Sequence, residues 1–86
     1  MPRVLTVQRT TVPLSERARY VERMRELAAH FAAANCRFSF FEDAGLRGAF
    51  IELTEADDVA TLEAAVASAP GGGAGPLRLY HHMEMK

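Results

Sequence analysis

The chain has 86 residues, with ten Lys and Arg against eleven Asp and Glu and a formal charge of -1. That balance excludes a global positive field of the kind that holds a nucleic-acid backbone, and a single cysteine, Cys36, excludes an internal disulfide and a thiolate-rich zinc site and suits a reducing compartment. A chain of this length is expected to be one domain, 1–86, near the size at which one core suffices only marginally and self-association is a common remedy.

The stretch Met1-Pro2-Arg3-Val4 has no signal-peptide core, and nowhere is there an apolar run near the ~20 residues a membrane span needs, so a cytoplasmic protein without membrane contact is expected. Val4 to Arg9, "VLTVQR", alternates and is β-branched, predicting a first strand. "TTVPLSER" supplies turn chemistry, with Ser15 as the expected cap of a helix over Ser15–Ala34. Tyr20, Met24, Leu27, Ala28 and Phe31 form that helix's apolar stripe, with Arg19, Arg23, Glu26 and His30 on the opposing, solvated side. Asn35 suits a left-handed helix end.

"CRFSFFED" is expected to be a second strand, alternating Cys36, Phe38, Phe40 against Arg37, Ser39, Phe41. "EDAGLRG" turns into a third strand, Ala49–Leu53, forming an antiparallel hairpin. "TEADDVATLEAAVASA" predicts a second helix, capped by Thr54, Asp57 or Asp58, with Val59, Leu62, Ala65 and Val66 on one face. "PGGGAGP" is a connector, and Leu77–Met85 a last strand.

The order β-α-β-β-α-β is the split βαβ of a ferredoxin-like α+β sandwich: a four-stranded antiparallel sheet with two helices on one face. Pattern alone assigns Leu5, Val7, Ile51, Leu77 and Leu79 to the covered face. Thr6, Gln8, Arg37, Ser39, Phe41, Phe50, Glu52, Arg78, Tyr80 and His82 then fall on the open face, more aromatic than plain solvent surface.

His81 and His82 are adjacent in a strand, so they point to opposite faces and do not chelate one metal. His81 is in phase with Leu79 and Met83, predicting an interior or semi-buried imidazole. His82 reads as edge surface. The acidic groups Glu42-Asp43 and Glu55, Asp57, Asp58 are explained by a turn and a helix cap, so no metal site is assigned. Cys36 reads as a small buried residue. No nucleophile elbow, phosphate loop, zinc-protease helix or dinucleotide glycine pattern is present. "LRGAFIEL" keeps Arg47, Gly48, Ala49 and Phe50 of an RNA-recognition signature, but Gly48 falls where the second stacking aromatic belongs. "VLTVQR" supplies no aromatic either, which disfavours nucleic acid.

The run "VQRTTVPLSERARYVERMRELAAHFAAANCRFSFFED", continued by "RGAFIELTEADDVATLEAA", resembles the small dimeric α+β barrel domains, the group of antibiotic biosynthesis monooxygenase-like and NIPSNAP-like proteins. The resemblance spans about Val4 to Met83 and rests on element order, the long first helix and the hairpin's alternation. It implies that two copies pack sheet against sheet, placing Phe41, Phe50, Tyr80, Arg78 and His82 in a homodimer interface. Group members that oxidise polyketides or degrade haem use tryptophan, asparagine and histidine in a pocket between helices and sheet. This chain has no tryptophan, carries Thr6 and Gln8 where the asparagine is looked for, and offers only His81 as the histidine.

These readings combine into a homodimeric ligand-binding or regulatory domain without strong catalytic equipment and without a cofactor. Its small-molecule pocket is expected at His81, Tyr20, Met24 and Phe31, beneath the first helix. A cofactor-independent monooxygenase acting on a small aromatic substrate is the enzymatic alternative, and single-stranded RNA binding in the manner of an RNA-recognition motif is the second. A sheet face serving dimerisation alone is the non-binding reading.

Overall fold

Alternating β-branched residues carry the first strand, β1, from Val4 to Thr11, two residues beyond the expected end, until Val12 and Pro13 break the pattern. The computed structural model describes residues 3–70 and 78–85. Ser15 does not cap the next helix. Leu14–Glu16 form a single 3-10 turn in which the Glu16 amide donates to the Pro13 carbonyl at 2.9 Å. Helix α1 then runs Arg17–Ala33 without a side-chain cap.

Tyr20, Met24, Leu27 and Phe31 are all buried, as a stripe of period 3.6 requires. At the helix end Asn35 takes φ 63°, as its tolerance of the left-handed region predicts. Its amide donates to the Ala32 carbonyl at 3.2 Å, and the Cys36 amide to the Phe31 carbonyl at 2.8 Å, which is the paired bonding of a Schellman end.

Strand β2, Arg37–Glu42, and strand β3, Ala49–Ala56, form the expected hairpin. Strand β3 outruns its expected end by three residues, so Thr54 is a buried strand residue and not a cap. Asp58 takes the capping role: its side chain accepts from the Thr61 amide at 2.7 Å, and helix α2 spans Val59–Ala67. Leu62 and Ala65 are buried and Val59 and Val66 half-buried, as their shared face implies. The last strand, β4, is only Leu79–His81. Residues 71–76 of the expected connector, and Leu77, lie outside the described residues.

The sheet order is β2-β3-β1-β4, antiparallel throughout, with β3 between the two strands that flank α1. This is the ferredoxin-like arrangement. Val4, Met24 and Leu62 are the bulkiest fully enclosed core side chains. No helix among the described residues is long and apolar enough to cross a membrane.

The hairpin is locked to the start of α1 by Glu42. Its carboxylate accepts from Arg17 Nε at 3.1 Å, from Arg17 Nη2 at 2.5 Å and from the Gly48 amide at 2.9 Å. Those bonds, the Arg17 pair first, hold the carboxyl down at about 2. Gly48 has φ +89°, and a Cβ there would meet the Val12 carbonyl oxygen at 2.4 Å. Glycine alone allows the Val12 amide to reach the Gly48 carbonyl at 2.7 Å.

The sequence-based phase is correct for β2 and reversed for β1 and β3. Leu79 packs against the core and Tyr80 lies on the open side, as expected. Val4, Thr6, Gln8 and Thr10 point toward the helices, however, opposite Ala56, Thr54, Glu52 and Phe50 in register. Leu5, Val7, Ile51 and Leu53 therefore take the open face. Phe50 is 4 % exposed and packs on Tyr20, with ring centroids 4.5 Å apart, inside the subunit. It is thus absent from the open surface, and the aromatic of the RNA-recognition comparison has no access to a base.

Candidate functional site

The reversal has a physical consequence. Side chains of Thr6, Gln8, Thr10, Glu52 and Thr54 lie beneath α1, where a plain core would place aliphatic groups. They floor a cavity of about 510 Å³ between the sheet and α1. Met24, Leu27, Phe31, Phe38 and Val66 make its apolar wall, and Glu16, Arg19 and Arg23 stand around it on α1 and the turn before it. Arg19 and Arg23, expected only to face solvent, are exposed and line the cavity as well.

One polar cluster organises the floor. Glu52 sits on β3 between Phe40 of β2 and Gln8 of β1 in register. Its Oε2 accepts from the Tyr20 hydroxyl at 2.6 Å and from the Thr10 hydroxyl at 3.2 Å. Burial, reinforced by the adjacent Glu52 carboxylate, pushes the Tyr20 phenol well above its ordinary value, so the phenol stays protonated and donating. Tyr20 is held in turn by Phe50 and by the edge-on ring of Phe40, 6.3 Å away. Among the described residues Glu52 Oε1 has no hydrogen-bond partner in the protein.

Of the residues expected to bind a ligand, Tyr20, Met24 and Phe31 come together on the cavity wall. His81 does not join them. It pairs with Val4 at the end of β4, is exposed, and is absent from the lining, which corrects the expectation of an interior imidazole. A strand of three residues is too short to carry it under a helix. Arg78, His82 and Met83 are exposed. His30 is half-buried, not freely solvated: its Nε2–H donates to the Ala65 carbonyl at 2.9 Å, tying α1 to α2. Cys36 is buried as expected, and burial pushes its thiol up.

Sequence reasoning missed Glu52 and the threonines because it treated apolar side chains as the covered set. A signal was present. Phe50, Glu52, Thr54 and Ala56 share one phase, and the apolar Phe50 and Ala56 bracket the two polar residues.

The opposite face of the sheet carries rows Phe41-Ile51-Arg9, Ser39-Leu53-Val7 and Arg37-Glu55-Leu5-Tyr80. Phe41 is 55 % and Tyr80 46 % exposed. At one end Glu55 accepts from Arg3 and Arg37, and Arg37 also reaches Asp57 at 3.1 Å.

No protein-family model and no curated protein matches the chain by sequence. Solved structures do match it. A conserved protein from Methanosarcina mazei Go1 superimposes with a TM-score of 0.74 at 10 % identity, over 99 % of this chain and 95 % of the other. A conserved protein of unknown function from Bacteroides thetaiotaomicron, described as a possible oxidoreductase, gives 0.69 at 18 % identity over 94 % and 95 %. A candidate antibiotic biosynthesis monooxygenase from Bordetella bronchiseptica gives 0.64 at 9 % identity over the whole of both chains. The chain shares their ferredoxin-like α+β fold, so the resemblance drawn from the sequence holds at the level of fold.

Proposed function

We propose that this protein is a small cytoplasmic homodimer that binds a compact organic ligand between α1 and the sheet. The observation that carries the reading is the 510 Å³ cavity, with an apolar wall and a few convergent polar groups on its floor. That size and mixture are usual for small-molecule sites. Tyr20, Met24 and Phe31 contact the ligand, and Glu52 and Thr10 fix its polar end.

The test is a thermal-shift and native-mass screen of small aromatics against wild type and Gln8→Trp. Gln8 is exposed at the cavity, so the indole blocks the space without disturbing the core. Saturable binding that Gln8→Trp removes supports the reading. Binding that survives the substitution places the ligand elsewhere.

A second reading is a cofactor-independent monooxygenase. It draws on the name of the Bordetella bronchiseptica neighbour and on the unpartnered Glu52 oxygen, which is placed to take a proton from a bound hydroxyl. Oxygen uptake with an anthrol or quinol, lost in Glu52→Gln, is the expected result, and inactivity across such a panel overturns it.

A further inference from the structure

Building on the cavity reading, we infer that its ligand is an aromatic hydroxy acid, with the hydroxyl donating to Glu52 Oε1 and the acidic group held by Arg19 and Arg23. Three observations converge on this chemistry. Glu52 Oε2 is already filled by the Tyr20 and Thr10 hydroxyls, whereas Oε1 has no partner among the described residues. A carboxylate oxygen only accepts, so the group that completes it is a donor. Tyr20 and Thr10 present their hydroxyl hydrogens to the same carboxylate, which fixes it in place before a ligand arrives.

The other end of the ligand is set by α1. Arg19 and Arg23 are one helical turn apart, so they emerge on the same side and can converge on one anion. Neither forms an ion pair among the described residues, unlike Arg3, Arg17, Arg25 and Arg37. Glu16 lines the same cavity and opposes them, leaving one net positive charge among these three. Between the two polar ends lie Met24, Leu27, Phe31 and Phe38, which suit a flat ring system.

The experiment is a fluorescence titration with four probes of one shape: 6-hydroxy-2-naphthoate, 2-naphthoate, 2-naphthol and naphthalene. Wild type is expected to bind the hydroxy acid about tenfold more tightly than either singly substituted probe, one charge-assisted hydrogen bond apart. In Glu52→Gln the advantage of the hydroxyl falls severalfold while 2-naphthoate binding is kept. In Arg19→Gln/Arg23→Gln, two exposed positions, the advantage of the carboxylate is lost while 2-naphthol binding is kept. Equal affinity for all four probes overturns the assignment of the polar ends and leaves a cavity that binds by shape. Selectivity that survives both variants overturns the assignment as well. No saturable binding by any probe overturns the cavity reading together with it.

Discussion

Glu52 and Glu42 lie on the same side of adjacent strands yet do different work, because their partners differ. Glu42 is saturated by Arg17 and the Gly48 amide, so it is a structural clamp. Its folded value, about 2, lies below the ordinary 4.5 of a free glutamate. The stability it contributes is therefore complete above about pH 4.5 and is lost as pH falls toward 2. Glu55 and Asp58 are also lowered and titrate on the same side, so wild type alone does not isolate Glu42. Urea unfolding of wild type and Glu42→Gln across that range does. The variant is expected to be less stable at neutral pH, with the gap closing as the medium becomes acid; a gap independent of pH refutes the clamp. Gly48→Ala should cost about 2 kcal/mol or more, from the strain of a positive φ with a Cβ driven onto the Val12 carbonyl. An unchanged unfolding midpoint would mean the turn relaxes freely. Tyr20→Phe removes a donor from Glu52 without altering packing, and about 1–3 kcal/mol is expected in the same assay.

At the scale of elements, α1 was legible to within a turn because its four buried residues repeat with the helix, and Asn35 marks its end by chemistry of its own. The hairpin and α2 were legible through turn residues and caps, although three candidate caps competed and only the Asp58 side chain accepts from a helix amide, that of Thr61. Strand phase was not legible for β1 and β3. In β1 one phase begins Leu5, Val7 and the other is mainly polar, and in β3 Ile51 and Leu53 stand against a phase half polar, with Glu52 and Thr54; burial of the more aliphatic set is the ordinary solution. Here the polar set lies under the helix because it floors a cavity, and local pattern gives way at such sites. His81 misled for the opposite reason, since apolar neighbours in sequence supplied a phase but not a covering element. Helix α2 is nine residues long and is anchored by Leu62, which is fully enclosed, and Ala65. Leu62→Ala should destabilise by about 2–5 kcal/mol, enough to free α2 from β3. Hydrogen exchange resolved by segment is expected to show faster exchange in α2 than in α1. Uniform acceleration would mean that the two helices open together.

For the whole molecule, the reversed phase changes what the open face offers a partner. Leu5, Val7, Ile51 and Leu53 occupy its middle, with Phe41 and Tyr80 beside them and the Arg3, Glu55, Arg37, Asp57 ion pairs at one end. A small chain whose core is near the lower limit gains most by covering such a surface. A second copy would supply a matching sheet at the separation sheets adopt face to face. Light scattering across a dilution series is expected to give twice the 9.5 kDa subunit mass. Leu53→Lys puts a charge in the central row opposite Val7, where a sheet-on-sheet contact would bury it unpaired, so it should give a monomer. Because Leu53 points away from α1, the cavity and the Tyr20–Glu52 bond should survive in that monomer, checked by circular dichroism and naphthoate titration. Retained binding would make the site complete in one subunit. Lost binding with the fold intact would mean that the site is incomplete without the second subunit. A wild-type monomer at all concentrations would leave the apolar rows to a different partner and remove the dimer from the proposal.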